Sequence, residues 1–517
     1  MIAKGTDHDE LVLEQISDVS LEEIDPIALE ILLTQVPEFE WIDRGYQRVL
    51  KQAIAMSKSV PAYKIILKEA GLDQPELGSK SLVDFPVIDK ETYLRRFTTA
   101  QMVWDGTLRG QRWIVSTTSG SAGEPFYFPR TNVQDQQYAL SAELYLRNNF
   151  KIHERSTLYI VAFPMGAWIG GLFTYEAVQR VGERGNYDLS VITPGINKIE
   201  VIKAVQNIGQ DYDQIIIGSY GPFLKDIIDD GIRAGLNWKN YNLGFIFSAE
   251  GFNEEFRDYI CRETGIADPL TGTLNHYGTV DLGTMAHETP IAILIRRVAL
   301  ANPRLYRDIF GQVTKLPTLA QYIPEQFFFE ADGASLYCSA ASGIPLIRYD
   351  LKDHGGLVTL AEMEQKFADN DLDLRSLAER AGIDNIWNLP FVYVYERSDF
   401  SVSFYAFQVY PESIRNVVTG DGFAHHLTGK FSMTVQYDSG GQQELIIHFE
   451  LKPDTENTPE FSARLQEAVT QRLLRDSSEY RQTYEEYGDT IRAKIVLWDY
   501  EDVTHFRSGT KQQWIKK

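Results

Sequence analysis

Apolar residues fall along this chain in two rhythms. One is the short unbroken run: Leu158-Tyr159-Ile160-Val161, Gln214-Ile215-Ile216-Ile217-Gly218 and Phe245-Ile246-Phe247, each closing near Gly, Pro or Ser. A half-exposed strand would alternate, so unbroken runs of this length predict strands buried on both faces, as in parallel sheets. The other rhythm is helical, over residues 198–210 and 222–234. Strand, helix, strand at this spacing predicts βαβ units. In open sheets of that kind, ligands bind where loops leave the carboxyl ends of the strands. Upstream, residues 41–70 carry helical spacing, and 81–97 predict a connector into another helix.

Toward the C-terminus the pattern changes. Residues 431–437 and 444–451 alternate like paired strands around an Asp438-Ser439-Gly440-Gly441 turn. Residues 458–475 have helical spacing and 493–498 are strand-like, which predicts a compact α+β unit. Its boundary is placed near Arg397-Ser398-Asp399, dividing the chain into 1–398 and 399–517. The acidic stretch up to residue 44 has weak helical signals and reads as an appended helical arm. The expected class is α/β: a large N-terminal α/β domain followed by a small α+β C-terminal domain.

Composition narrows the function classes. A chain of 517 residues predicts two or three domains, and 44% hydrophobic residues argue against global disorder. A net charge of −22 argues against nucleic-acid binding and docking on anionic lipid, while leaving room for a local basic site for a nucleotide or CoA. Cys261 and Cys338 are the only cysteines, too few for a four-cysteine zinc site, and predict a reduced cytoplasmic setting. Residues 1–25 lack the pattern of a signal peptide. The most apolar window, 158–173, is broken by Pro164, Gly166, Gly170 and Gly171, so no membrane span is expected.

The chemistry begins at residues 117–125, TTSGSAGEP, just after the strand-like Trp113-Ile114-Val115. Glycine lets backbone turn tightly beside a ligand, and hydroxyls with exposed N–H groups make an anion nest. It is not the P-loop, because no Lys-Ser/Thr pair follows. Taken alone, such a run is more often a solvated turn. Its company changes the weight: Ser248-Ala249-Glu250-Gly251 after a buried strand, Asn275-His276-Tyr277-Gly278-Thr279-Val280-Asp281, then Ile344 to Asp353 (IPLIRYDLKD), Glu396-Arg397-Ser398-Asp399 and Arg507-Ser508-Gly509-Thr510-Lys511.

In that order these segments resemble the adenylate-forming enzymes, and within them the phenylacetate–CoA ligase-like branch. Ser59-Val60-Pro61-Ala62-Tyr63, Glu69-Ala70-Gly71-Leu72 and Phe85-Pro86-Val87-Ile88-Asp89-Lys90 are similar to that branch's opening helices and connector. The similarity covers about residues 45–517. The resemblance implies a large adenylation domain, a small mobile C-terminal domain, and an acid–thiol ligase that uses ATP, Mg²⁺ and, as second substrate, CoA. It also implies a small aryl or apolar carboxylic acid as substrate and a homodimer as the common assembly.

Residue by residue, the resemblance assigns Ser119, Gly120, Ser121 and Gly123 to the ATP phosphates, and Glu250, Gly251, Tyr277 and Gly278 to adenine and its surroundings. Thr279 would touch the α-phosphate, and Asp281, where the family usually has Glu, would help to bind Mg²⁺. Asp353 would accept from the ribose hydroxyls, with Asp350 a competitor three residues earlier, and Arg397 would approach ribose or phosphate. Asp399 matches the hinge position. Lys511 would bring an ammonium to the repelling carboxylate and α-phosphate. Phe163, Met165, Trp168 and Tyr220, in loops after predicted strands, are expected to wall the acid pocket.

The chain also departs from the family's pattern. Glu124 stands in the phosphate loop where Lys is common, Val280 where a hydroxyl residue is common, and Phe400 where a second Asp is common. Phe404 to Gln408 (FYAFQ) replaces a glycine-containing turn that shapes the thiol tunnel in relatives. Three readings follow: an acyl- or aryl-CoA ligase; an adenylating enzyme that hands its acyl group to a carrier protein, an amine or a protein thiol; and a nucleotide-binding protein without turnover.

Overall fold

The computed structural model describes residues 20–72, 78–117, 126–167, 169–248, 252, 254–311, 317–397, 402–405, 407–409, 411–418, 420, 422–438, 441–453, 455–500, 502 and 505–506. The predicted buried runs are strands β3 (Thr157–Val161), β5 (Gln214–Ser219) and β6 (Leu243–Phe247), each buried along its length. They pair in parallel, with β4 (Leu189–Ile192) outside β3 and β7 (Thr273–Thr279) beside β6. Helices Lys198–Ile208 and Gly221–Arg233 make the crossovers. The first starts where the Asn197 side chain accepts from the Glu200 N–H at 3.1 Å, the second with Pro222 in its first turn.

From β7 onward the sheet turns antiparallel, through β8 (Gly283–His287), β9 (Thr318–Gln321), β10 (Phe327–Asp332), β11 (Ser335–Ala340), β12 (Leu346–Val358) and β13 (Phe391–Arg397). Among the described residues one eleven-stranded sheet results, in the order β10-β11-β12-β13-β9-β8-β7-β6-β5-β3-β4. The parallel half has its own core, built on Ile216, Ile217, Phe245 and Ile246; the antiparallel half has another, with Tyr277, Phe329, Tyr349 and Leu351. A hairpin of β1 (Ile114–Thr117) and β2 (Tyr127–Arg130) stands apart from the sheet.

Helix Asn132–Phe150 is buried almost along its whole length, polar residues included. Its buried Glu143 accepts from the Tyr187 hydroxyl at 2.7 Å, and Arg147 reaches Glu30 at 2.9 Å. The N-terminal helix Pro26–Gln35 lies against it, Leu29, Leu32 and Leu33 clustering with Leu140 and Leu144.

After residue 401 comes a separate unit. A short hairpin, β14 (Val402–Phe404) and β15 (Phe407–Val409), leads to a sheet in which β16 (Leu427–Tyr437) runs antiparallel to β17 (Gln443–Leu451) and β18 (Lys494–Trp498) parallel to it. Helix Pro459–Asp476, capped by Thr458, buries Phe461, Leu465, Val469 and Leu473, and helix Ser478–Tyr487 follows. The two units touch through polar contacts. The Lys198 N–H donates to Glu486 at 3.3 Å, its ammonium lies 4.5 Å from the Tyr487 ring centroid, and Gln442 donates to Asp226 at 3.4 Å. The α/β class with a large N-terminal and a small C-terminal domain matches expectation; the predicted boundary at 398–399 lies outside the described residues. No described helix is long and apolar enough to cross a membrane.

Candidate functional site

Parallel strands bury their backbone between neighbours, so chemistry concentrates in the loops at their carboxyl ends. There the structure forms an open cavity of about 210 Å³. Phe163 and Pro164 after β3, Tyr220 after β5, Ser248 after β6, and Gly278 and Thr279 at the end of β7 all border it. Ile169, Phe173 and Thr174 enter from helix Ile169–Gly185, and Tyr138 from the buried helix. The C-terminal unit supplies Tyr405, Phe407, Glu479, Gln482 and Thr483. Of the predicted wall residues Phe163 and Tyr220 border the cavity, Met165 packs behind it against the parallel core, and Trp168 lies outside the described residues.

The β1–β2 hairpin carries the hydroxyl- and glycine-rich run between its strands. Arg130 on β2 donates to Ser116 on β1 at 2.6 Å and to Asp135 at 3.1 Å, and its guanidinium lies 4.6 Å from the Phe173 ring centroid. The Thr117 N–H donates to the Ala167 carbonyl at 2.9 Å, tying the hairpin to the loop after β3. Thr117 borders the cavity, so the run leaves its strand at the cavity wall. Ser119, Gly120, Ser121 and Gly123 lie outside the described residues, as do Glu250, Gly251, Asp399 and Lys511. Arg397 ends β13, opposite Asp353 in the β12–β13 register.

Two tyrosine–aspartate hydrogen bonds cross between β7 and β12. Tyr277 on β7 donates to Asp353 on β12 at 2.6 Å; Tyr349 on β12 donates to Asp281 in the turn after β7. These strands stand four places apart in the sheet order, so the antiparallel half must curl to bring them together. Two residues of β12, Arg348 and Lys352, adopt left-handed backbone with φ of 49° and 58°. Such a conformation is costly without glycine and marks bulges that re-aim side chains. Here they bracket Tyr349 and precede Asp353. Arg348 is held by Glu330 at 3.1 Å and by the carbonyl of Phe85 at 2.8 Å, fixing the N-terminal connector to the strand. Lys352 bridges Asp350 and Asp89 at 2.7 and 2.9 Å, so Asp350 is engaged by lysine while Asp353 is engaged by Tyr277.

Asp353 is buried and Asp281 partly exposed. A buried carboxylate already accepting one hydroxyl hydrogen bond can accept further ones, which suits a diol. A partly exposed carboxylate in the turn after β7 is a hard oxygen donor of the kind Mg²⁺ takes when phosphates supply the remaining ligands. Thr279 stiffens the turn between them by accepting from the Leu282 N–H at 3.2 Å. Gly278 is required here, because a Cβ would lie 2.5 Å from the Gly283 carbonyl oxygen across the hairpin.

Behind the site lies a cluster of buried charge for which the sequence reading held no place. Arg257 donates to both oxygens of Glu288 at 2.9 and 2.8 Å and to Glu254 at 2.9 Å; Arg296 reaches Glu288 at 2.6 Å. Burial works to raise Glu254, but Arg257, Arg296 and Arg297 around it hold its carboxyl below the ordinary value. Glu288 also accepts from the Asn275 N–H at 2.9 Å, and Arg296 donates to the Phe252 carbonyl at 2.7 Å. The cluster thus clamps β7 and the segment after β6. The signal for it was Arg296-Arg297 inside the otherwise apolar PIAILIRRVALA.

Next to Asn275, His276 borders the cavity and faces His287 across the β7–β8 pair. Burial pushes His276 down to about 3, with His287 adding to the effect, and pushes His287 down to about 4. Both are therefore uncharged at neutral pH.

No protein-family model matches the chain, and no curated protein sequence matches it. Solved structures do match. A 2-hydroxyisobutyryl-CoA ligase in complex with 2-HIB-AMP and CoA, in the thioesterification state, superposes with a TM-score of 0.65 over 97% of this chain and 95% of that chain, at 14% identity. An open conformation of that ligase with the same two ligands gives 0.52 over 94% and 93%, also at 14% identity. Its postadenylation state with R3-HIB-AMP gives 0.54 over 97% and 95%, again at 14% identity.

Proposed function

We propose that this chain, which has the fold of the adenylate-forming ligases, activates a small carboxylic acid with ATP and passes the acyl group to the thiol of CoA. The crossed tyrosine–aspartate pairs carry the reading. They hold one buried and one partly exposed carboxylate beside the end of β7, whose Gly278 and Thr279 border the cavity, as a ribose diol and a phosphate-bound metal would require. In the first step a carboxylate oxygen bonds to the α-phosphorus, the bond to the bridging oxygen breaks, and pyrophosphate leaves. Asp353 accepts from the ribose hydroxyls with Arg397 nearby. Tyr277 and Gly278, with Glu250 and Gly251, flank adenine. Ser119, Gly120, Ser121 and Gly123 would donate to the phosphates, Thr279 would meet the α-phosphate, and Asp281 would hold Mg²⁺, which would supply positive charge against the phosphates. Lys511 stabilises the charge that develops as the two anions join. In the second step the thiol sulfur bonds to the acyl carbon, AMP leaves, and the thiol proton passes to solvent.

Between the steps, the domain beginning at 399 rotates about Asp399. The higher TM-score against the thioesterification state than against the other two states supports a C-terminal domain set for the second step. The buried free thiols of Cys261 and Cys338 suit a reducing cytoplasm.

The test is carboxylate-dependent exchange of labelled pyrophosphate into ATP across aryl and aliphatic acids. Exchange is expected with some acid, and Lys511→Ala should lower it by about a hundredfold or more while sparing thioester formation from preformed acyl-adenylate. Undiminished exchange by Lys511→Ala overturns the assignment. ATP binding with no acid-dependent exchange favours a nucleotide-binding protein without turnover.

One observation favours a second reading of the acceptor. Tyr405 is buried at the cavity wall with a left-handed φ of 46°, and Phe407 stands beside it. Two aromatic rings on that side narrow the approach and favour a small amine over the long pantetheine thiol of CoA. Product analysis with CoA and with simple amines separates the two, and Tyr405→Gly should raise CoA turnover if the ring is the obstacle.

A further inference from the structure

Strand alternation gives β7 two faces. Tyr277 points to the antiparallel core and Asp353, while His276 points to the cavity and the buried helix. There its ring lies 4.9 Å from Tyr145 and 6.3 Å from Tyr138 between centroids. Its Nε2 is buried and has no hydrogen-bond partner among the described residues. Leaving a buried imidazole nitrogen unpaired is costly, so such an atom in a native site asks for an occupant.

Two more hydrogen-bonding groups border the same cavity. The Tyr138 hydroxyl and Thr174 Oγ1 stand 3.5 Å apart. That is a long separation for two hydroxyls, and the Tyr138 hydroxyl also hydrogen-bonds with Tyr145, so Thr174 is the more loosely held of the two. Around this patch the walls are apolar: Phe163, Pro164, Ile169, Phe173 and Ile196.

We propose that His276, with Tyr138 and Thr174, reads an uncharged hydrogen-bonding substituent, a hydroxyl or a carbonyl, on an otherwise apolar carboxylic acid. The inference rests on the reading of this cavity as the acid site. A neutral imidazole offers one donor and one acceptor, and a hydroxyl complements either tautomer. Because burial holds His276 uncharged, a second carboxylate on the substrate finds no cation there.

The experiment measures equilibrium binding of matched acids, with and without ATP: phenylacetate against its ring-hydroxylated isomers, and hexanoate against hydroxyhexanoates. Pyrophosphate exchange is followed in parallel. The wild-type chain should bind one hydroxylated member about tenfold more tightly than its parent. His276→Leu should abolish that preference while keeping the parent's affinity, and His276→Gln, which restores a donor and an acceptor, should recover part of it. Equal affinity for both members, binding of neither, or a preference unmoved in both variants overturns the proposal. The adenylation reading fails separately: binding with the expected preference but no exchange leaves the polar recognition standing and removes the ligase.

Discussion

Asn275 and His276 are neighbours on β7, yet they belong to two different kinds of buried polar region. Behind Asn275, Arg257, Arg296, Glu254 and Glu288 pair their charges at 2.6 to 2.9 Å. Beside His276 the groups are neutral, and Nε2 of His276, Nε2 of His287 and the Tyr159 hydroxyl have no partner among the described residues. A charge far from water must be compensated on the spot, so the first region pairs its charges closely, although Arg296 Nε has no hydrogen-bond partner among the described residues. Neutral groups tolerate burial better, so the second can keep hydrogen-bonding capacity in hand. The first kind fixes a shape; the second keeps room for a ligand.

The sharpest way to break this contrast is Glu288→Gln, which removes one of the two anions that Arg257 and Arg296 share. A loss of about 3–5 kcal/mol is expected in urea unfolding. A loss below about 1 kcal/mol would mean that the charges are not the clamp.

Tyr277→Phe comes next. It removes the hydrogen bond that holds Asp353, and ATP affinity should fall by about tenfold while the unfolding midpoint moves little. A larger change in stability than in affinity would make the pair a packing device.

Asp226 lies between the two kinds, a buried acid with only partial compensation. Burial pushes its carboxyl up to about 6, against the opposing pull of Lys198, the Gln442 hydrogen bond and Lys225 and with some help from Asp230. A carboxyl with a raised folded pKa stabilises the protonated side. Its contribution is present below the ordinary carboxylate value and lost as pH rises through about 6. Burial raises Glu486 across the same contact in the same direction. The thermal midpoint of the wild type should therefore drop between pH 4 and 7 relative to Asp226→Asn, and parallel profiles would remove Asp226 from the account.

The smallest effect is expected from His287→Leu, within about 1 kcal/mol, since a neutral unpaired group is exchanged for an apolar one of similar size. A large loss there would show that the neutral region is a clamp as well.

These contrasts also explain what the chain discloses by itself. The runs at β3, β5 and β6 are legible because burial on both faces leaves no polar position to interrupt them. The alternation of β17 is legible because its side chains are by turns buried and part-exposed, whereas β16 buries Phe431, Ser432 and Met433 in succession. Helix Asn132–Phe150 was not, because a helix enclosed on all sides has no amphipathic stripe to read. In the site, Tyr277, Asp281 and Asp353 stood out through their order in the chain. The crossing of their hydrogen bonds could not, since it depends on a sheet curling through four strand positions. Tyr349 lay within a quoted segment, but without the fold it had no role to be given. The Arg257 cluster draws on residues up to 43 positions apart, each an ordinary surface charge in isolation.

The strand order has a consequence for how the protein is made. β13 is the last strand of the large sheet to leave the ribosome, and it stands between β9 and β12. Until residue 397 has emerged, β10, β11 and β12 can form a meander but have no edge of the older sheet to join. Chains fold from the N-terminus as they appear, so the parallel half and its cavity walls are complete first. Tyr277 then waits more than seventy residues of synthesis for Asp353. A nascent chain halted short of β13 would hold most of the large domain's share of the cavity wall without Asp353 in place beside Tyr277, so the two halves ripen at different times.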